Sequence, residues 1–192
     1  PRNVIGLHLN TINASPPPAD TGIVLDAADQ AIADRYLGLL SAPHFNLLAQ
    51  APLGIAHALA DSPAGLAGFM GERLRDWADR SLPDNPGLDP EWMVATIALT
   101  WLTGTAGSSL MLYRDAVSDP APERFVAVPT AVAHFPAEMV VIPRPWAKRH
   151  FAIARWTRMA AGGHYPATEV PGPFVADVRA LATQLCSDDN SR

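Results

Sequence analysis

The spacing of apolar and polar positions divides the chain into a short strand, a long helical stretch and a closing strand, helix, strand, helix series. Val4 to Leu9, an apolar run bounded by Asn3 and Asn10, predicts a buried strand. Asn13 to Gly22 contains three successive prolines, which suit neither helix nor ladder, and is a loop. From Asp26, Ala27, Ala28, Ala31, Ile32, Tyr36 and Leu39 recur at three- and four-residue steps, and Ser41-Ala42-Pro43 ends the helix they predict. Pro52 to Leu59 predicts a second, short helix. Ser62 as N-cap with Pro63 at the first helical position starts a third. Its apolar face is Leu66, Phe69, Met70, Leu74 and Trp77, and Glu72, Arg73, Arg75 and Asp76 face water.

A proline- and glycine-rich break from Ser81 ends in Asp89-Pro90-Glu91, a further helix start. The segment Trp92 to Tyr113 carries no charge and reads as one helix, long enough to be a membrane-span candidate. Its threonines, serines and glycines make the second half too polar for lipid, so a helix buried against protein is expected instead. Beyond the polar stretch Pro120 to Arg124, the valine-rich run Phe125 to Ala133 predicts a buried strand ending at Pro129 or a little beyond. Glu138 lies in the loop after it, Trp146 to His150 forms a short basic helix, and Phe151 to Trp156 is a second strand. Pro173 to Leu185 closes the chain as an amphipathic helix with Phe174, Val175, Val178, Leu181 and Leu185 inward. The fold class is α/β, with a helical insertion from about Thr11 to Ser118 interrupting the sheet.

Composition narrows the partners. Net charge is −5 and the pI is near 5.6, with basic residues scattered along the chain, which argues against nucleic acid and anionic membrane and for small neutral ligands. With 192 residues, nearly half of them apolar, the chain can bury a core. The single cysteine, Cys186, excludes an internal disulfide, and no Cys/His spacing suits structural zinc. A reducing, cytoplasmic setting without a cofactor is the expectation. The chain opens on Pro1-Arg2-Asn3 without Met or signal-peptide pattern and passes directly into a strand, which reads as a piece cut from within a fold, its partner strands and any membrane anchor lying upstream. A homodimer is compatible with the sequence, which sets no oligomeric state.

The candidate chemistry centres on MAAGGHYPATEVP, Met159 to Pro171, where two glycines present His164 in a loop beyond a strand. By itself this is equally a solvent-exposed loop histidine, and Glu138 equally a surface acid. The strand order places both at the carboxyl ends of parallel strands, where open α/β sheets keep their sites, and spacing still leaves Glu138 equally a surface acid. Acid then histidine, with the nucleophile upstream, is the chain order of α/β-hydrolase triads. His8, His57, His134 and His150 have no partner that the sequence names.

Several segments resemble the microsomal-type epoxide hydrolases, the branch that includes the juvenile hormone enzymes: GLHLN, ALADSPAGLAGFM, WLTGTAGSSLMLY, FVAVPTAVAHFPAE and AAGGHYPATEVP, in the expected order over nearly the whole chain. The resemblance implies a partial α/β-hydrolase fold: 1–10 as a core strand, 11–118 as a helical cap or lid, and 119–192 as the C-terminal part of the core. It also implies hydrolysis of a small apolar epoxide by water through an aspartyl ester, with His164 as base and Glu138 as its orienting acid. Tyr113 falls on one of the family's two cap tyrosines that donate to the epoxide oxygen, or is an interface tyrosine. His44 stands where the second would be, as a replacement donor or as an inert substitution. The nucleophile and the backbone oxyanion loop are expected before Pro1, so this polypeptide alone is expected to be inactive. Esterase or haloalkane dehalogenase chemistry, and non-catalytic binding, are the alternatives.

Overall fold

The computed structural model of the chain describes residues 3–85, 89–118 and 124–189; the expected polar stretch 120–124 lies almost wholly outside them. Three parallel strands, β1 (Leu7–Leu9), β2 (Val126–His134) and β3 (Phe151–Arg158), make a sheet in that order. Parallel neighbours require crossovers. Between β1 and β2 run α1 (Ala27–Leu40), α2 (Pro43–Gln50), α3 (Pro52–Asp61), α4 (Pro63–Trp77), α5 (Pro90–Leu102) and α6 (Ala106–Ser118). Between β2 and β3 lies α7 (Arg144–His150), and after β3 come the single turn α8 (Pro166–Glu169) and α9 (Pro171–Asp189).

Two apolar clusters hold these elements. Val132 of β2, Ile32 and Tyr36 of α1, and Trp146 and Ala147 of α7 pack with Val141 and Ile142 beside the sheet. Leu48, Ala56, Leu59, Leu66, Ala106 and Leu110 join α2, α3, α4 and α6 separately from it. Helix starts follow local chemistry: Asp26, Ser62 and Asp89 accept hydrogen bonds from the backbone N–H groups of Asp29, Gly65 and Glu91.

Five expectations need correction. The uncharged stretch from Trp92 is two helices, because Gly104 takes φ +64° between them. Its first half is also not buried: α5 has no fully buried residue and Leu102 is 81% exposed, whereas Ala106 and Leu110 of α6 are buried. Its threonines spend their hydroxyls on their own helix, Thr96 on the Trp92 carbonyl and Thr100 on that of Thr96. Among the described residues no helix is long and apolar enough to cross a membrane. Second, β2 runs through Pro129 to His134, since the ladder to β3 shifts register between Val126 and Thr130 and requires no N–H there. Third, Ser41-Ala42-Pro43 does end α1, but the same proline is also the first residue of α2, a helix that the pattern does not predict. Fourth, β1 covers only Leu7–Leu9, and Val4 and Ile5 are exposed. Fifth, Val175 and Val178 of α9 are exposed at 41% and 37%, while Asp177 between them is buried.

Asp177 is buried because it is fully bonded. Its carboxylate accepts from Arg155 Nε at 2.8 Å and Thr157 Oγ1 at 2.7 Å, and lies 2.9 Å from His8 Nε2, so His8 does have a partner. One side chain of α9 thereby ties β1 to β3. Burial opposes its ionised form, but the hydrogen bonds from Thr157, His8 and Arg155 outweigh this and hold the carboxyl below its ordinary value. A depressed carboxylate contributes stability above its unfolded value, 3.8, that is lost as pH falls through the folded one. Urea unfolding of Asp177→Asn is therefore expected to show a loss of about 1–3 kcal/mol at pH 7. The penalty relative to the parent should shrink as pH falls below about 4, where the unfolded parent takes up a proton at Asp177 before the folded one does.

Candidate active site

The loops after β2 and β3 leave the same, carboxyl edge of the sheet and are tied together there. Met159 N donates to the His134 carbonyl and Ala137 N to that of Gly162, at 2.9 and 3.1 Å. This places His164 Nδ1 3.0 Å from both carboxylate oxygens of Glu138. Glu138 is fully buried, so it is not a surface acid. Its remaining acceptor capacity is taken by Val140 N at 2.7 Å and by Thr11 Oγ1, just past the end of β1, at 2.9 Å. All three strand ends thus converge on one carboxylate. With every partner a donor, Glu138 is set to accept a proton-bearing Nδ1, which leaves Nε2 as the basic nitrogen of the imidazole.

The ring of His164, 23% exposed, is held edge-on between Trp77 and Tyr165, with centroids 5.2 and 5.1 Å away. Its backbone N–H donates to the Trp77 carbonyl at 3.0 Å. The two glycines before it are required for different reasons. Gly162 has φ +110°, outside the range of other residues. Gly163 has the backbone of Trp77 and Asp79 against it: a Cβ there would lie 2.7 Å from Asp79 N and 2.8 Å from the Trp77 oxygen.

In front of His164 is an apolar cavity of about 120 Å³ open to water, lined by Leu39, Leu40, Phe45, Met139 and Val140. His44 and Tyr113 line it too, with Trp77 and Tyr36. Three of the four residues singled out from sequence therefore share one cavity, and Glu138 stands behind the third. Phe45 and Tyr113 pack edge to face at 5.7 Å. Burial raises the Tyr113 phenol above its ordinary value, so it remains a neutral donor. Burial and then the nearby Arg73 guanidinium lower His44, which keeps its imidazole neutral near pH 7. Arg73 itself, expected to face water, lies over the Phe69 ring at 4.9 Å.

The other histidines are elsewhere: His57 is exposed, His150 ends α7, and His134 packs against Trp156 with burial lowering its pKa. Among the described residues no cluster of His, Cys, Asp and Glu is arranged to hold a metal ion. Sequence reasoning missed Thr11, Asp79, Asn85 and Glu169, which surround the pair, and Trp77, which it placed only on a helix face. Only Trp77-Ala78-Asp79 at the end of α4 offered a signal, an aromatic and an acid just past an apolar stripe. Asp79 is held below its ordinary value because hydrogen bonds from Ser81 and Gly162 outweigh the burial that opposes ionisation.

No protein-family model matches the chain. Epoxide hydrolase 1 of Sus scrofa is 29% identical over 156 residues, covering 75% of this chain and 34% of that protein. The juvenile hormone epoxide hydrolase of Manduca sexta is 28% identical over 211 residues, covering 96% of this chain and 45% of that protein. The structure of Aspergillus niger epoxide hydrolase superposes with a TM-score of 0.78 at 25% identity, over 94% of this chain and 46% of that one. The chain thus spans less than half the length of these relatives. Its parallel sheet with helices is part of an α/β-hydrolase fold. In sequence and in fold, the proteins that this chain is similar to are epoxide hydrolases, the juvenile hormone epoxide hydrolases among them.

Proposed function

We propose that the protein carrying this chain hydrolyses a small apolar epoxide to a vicinal diol, with residues 11–118 as a cap that closes over the substrate and 119–192 as core. The observation that carries this reading is a His164–Glu138 pair opening onto the same apolar cavity as two neutral donors, Tyr113 and His44. A carboxylate attacks one epoxide carbon, and the ring oxygen departs with the electron pair of the broken C–O bond. Tyr113, assisted by His44, donates to that oxygen and gives it a proton. His164 Nε2 then takes a proton from water, whose oxygen adds to the ester carbonyl carbon. Collapse of that adduct breaks the bond to the diol oxygen. Of the two protons then held by the new carboxylic acid and by His164, one goes to the diol alkoxide and one returns to the cap donor. Glu138 fixes the imidazole tautomer and stabilises its cation.

The attacking aspartate is not supplied by the acids described around the cavity. Glu138 is committed to His164, while Asp79 and Glu169 accept hydrogen bonds from loop backbone. As the resemblance to epoxide hydrolases implies, the reading places the nucleophile on a strand-to-helix elbow upstream of Pro1. Incubating the full-length protein with styrene oxide is expected to release the diol. No diol from styrene-type or terminal alkyl epoxides, or a serine at the elbow, overturns the reading. Tyr113→Phe removes one donor to the developing alkoxide without changing the ring. In steady-state assays its kcat/KM is expected to fall by about 10²-fold, and full retention would assign the donor role elsewhere.

A further inference from the structure

We propose that the buried carboxylates of Asp79 and Glu169 are positioning residues for His164, fastening the end of α4 to the loop that carries the base. The proposal rests on the role assigned to His164 above. Glu169 uses both oxygens: Oε1 accepts from Tyr165 N at 2.8 Å, and Oε2 from Asp79 N at 2.6 Å, Gly163 N at 3.2 Å and Asn85 Nδ2 at 3.4 Å. Asp79 Oδ2 accepts from Gly162 N at 2.8 Å, and its Oδ1 from Ser81 N and Oγ at 3.0 and 2.6 Å. Asn85 closes the group by donating to the Asp79 carbonyl at 2.6 Å. The backbone N–H groups of Gly162, Gly163, His164 and Tyr165 thus all end on Trp77, Asp79 or Glu169: Gly162 on Asp79, His164 on the Trp77 carbonyl, and Gly163 and Tyr165 on Glu169.

Neither acid touches the imidazole or lines the cavity in front of it, so they act through the backbone. Two carboxylates are needed because every neighbour is a donor. An amide at either position has one oxygen and must turn N–H groups toward an N–H, which forces the loop to move. The end of α4 also carries the Trp77 ring, 5.2 Å from that of His164, so one clamp sets both the backbone and the packing of the base. A shift of the base by a fraction of an ångström misaligns Nε2 with water while leaving the apolar cavity largely as it was.

The test uses the full-length protein with Glu169→Gln, read in two ways. Steady-state hydrolysis of styrene oxide is expected to show kcat lowered about 10- to 100-fold with KM within about twofold of the parent. The downfield proton resonance of His164 Nδ1–H, identified by its loss in His164→Ala, is expected to shift or broaden. Unchanged kcat overturns the proposal, as does a lower kcat with an unmoved resonance, since the residue then acts other than through His164. If the parent makes no diol, the hydrolase reading fails separately and the resonance alone decides the clamp. Should Glu169→Gln not fold, Asp79→Asn, which alters only the acceptor for Gly162 and Ser81, is read in the same way.

Discussion

Replacing His164 with alanine is expected to lower kcat for epoxide hydrolysis by about 10³-fold and to leave the alkylated protein as the main species during turnover. In the proposed mechanism the two half-reactions depend on the histidine unequally. Ring opening needs a carboxylate and a donor to the departing oxygen, and His44 and Tyr113 remain in the cavity without His164. Ester hydrolysis needs a base for water, and Glu138, fully buried and bonded to Thr11 and Val140, cannot reach in to replace it. Intact-mass spectrometry would read the adduct as a gain of one substrate mass. Full turnover by the variant, or a large loss without adduct, would remove His164 from the base role.

A single methyl group at position 163 is expected to have an effect nearly as large. Gly163→Ala places a Cβ 2.7 Å from Asp79 N and 2.8 Å from the Trp77 oxygen. Both are backbone atoms, so no side-chain rotation relieves the overlap and the loop must separate from the end of α4. That separation strains the hydrogen bond from His164 N to the Trp77 carbonyl and the bond from Asp79 N to Glu169. Thermal or urea unfolding should show a loss of about 1–3 kcal/mol. Turnover of the folded protein should fall by about 10²-fold. Gly172→Ala is the control: nothing lies within 4 Å of its Cβ position, and both quantities should stay near the parent's. Equal effects at the two positions would mean that the approach at Gly163 has no special consequence.

What could be read in the sequence was either local or set by strand order. The N-caps Asp26, Ser62 and Asp89 work within three residues of themselves, and each starts a helix as expected. Parallel strand order puts Glu138 and His164 at one edge without any knowledge of packing, while their pairing there was legible only through the resemblance to epoxide hydrolases. Failures came where a residue's role is decided elsewhere in the chain. Asp177 belongs to the core of α9, and Val175 and Val178 do not, because Arg155 and Thr157 of β3 and His8 of β1 supply its partners. Asp79 and Glu169 bond one another's segments across ninety residues, a separation that no motif encodes. The break at Gly104 escaped notice because hydropathy registers charge and not φ. Pro43 carried a signal of either sign, since proline both ends a helix and begins the next.

The covalent mechanism is tested most directly by a single turnover in H₂¹⁸O with the full-length protein in excess over styrene oxide. If a carboxylate opens the epoxide and water then attacks the ester carbonyl, the oxygen that joins the diol comes from the protein. The label then appears in the protein, and the first diol carries none. Diol labelled in that first turnover would show water attacking the epoxide carbon directly, and would contradict the proposed ester and with it the role of His164 in hydrolysing it.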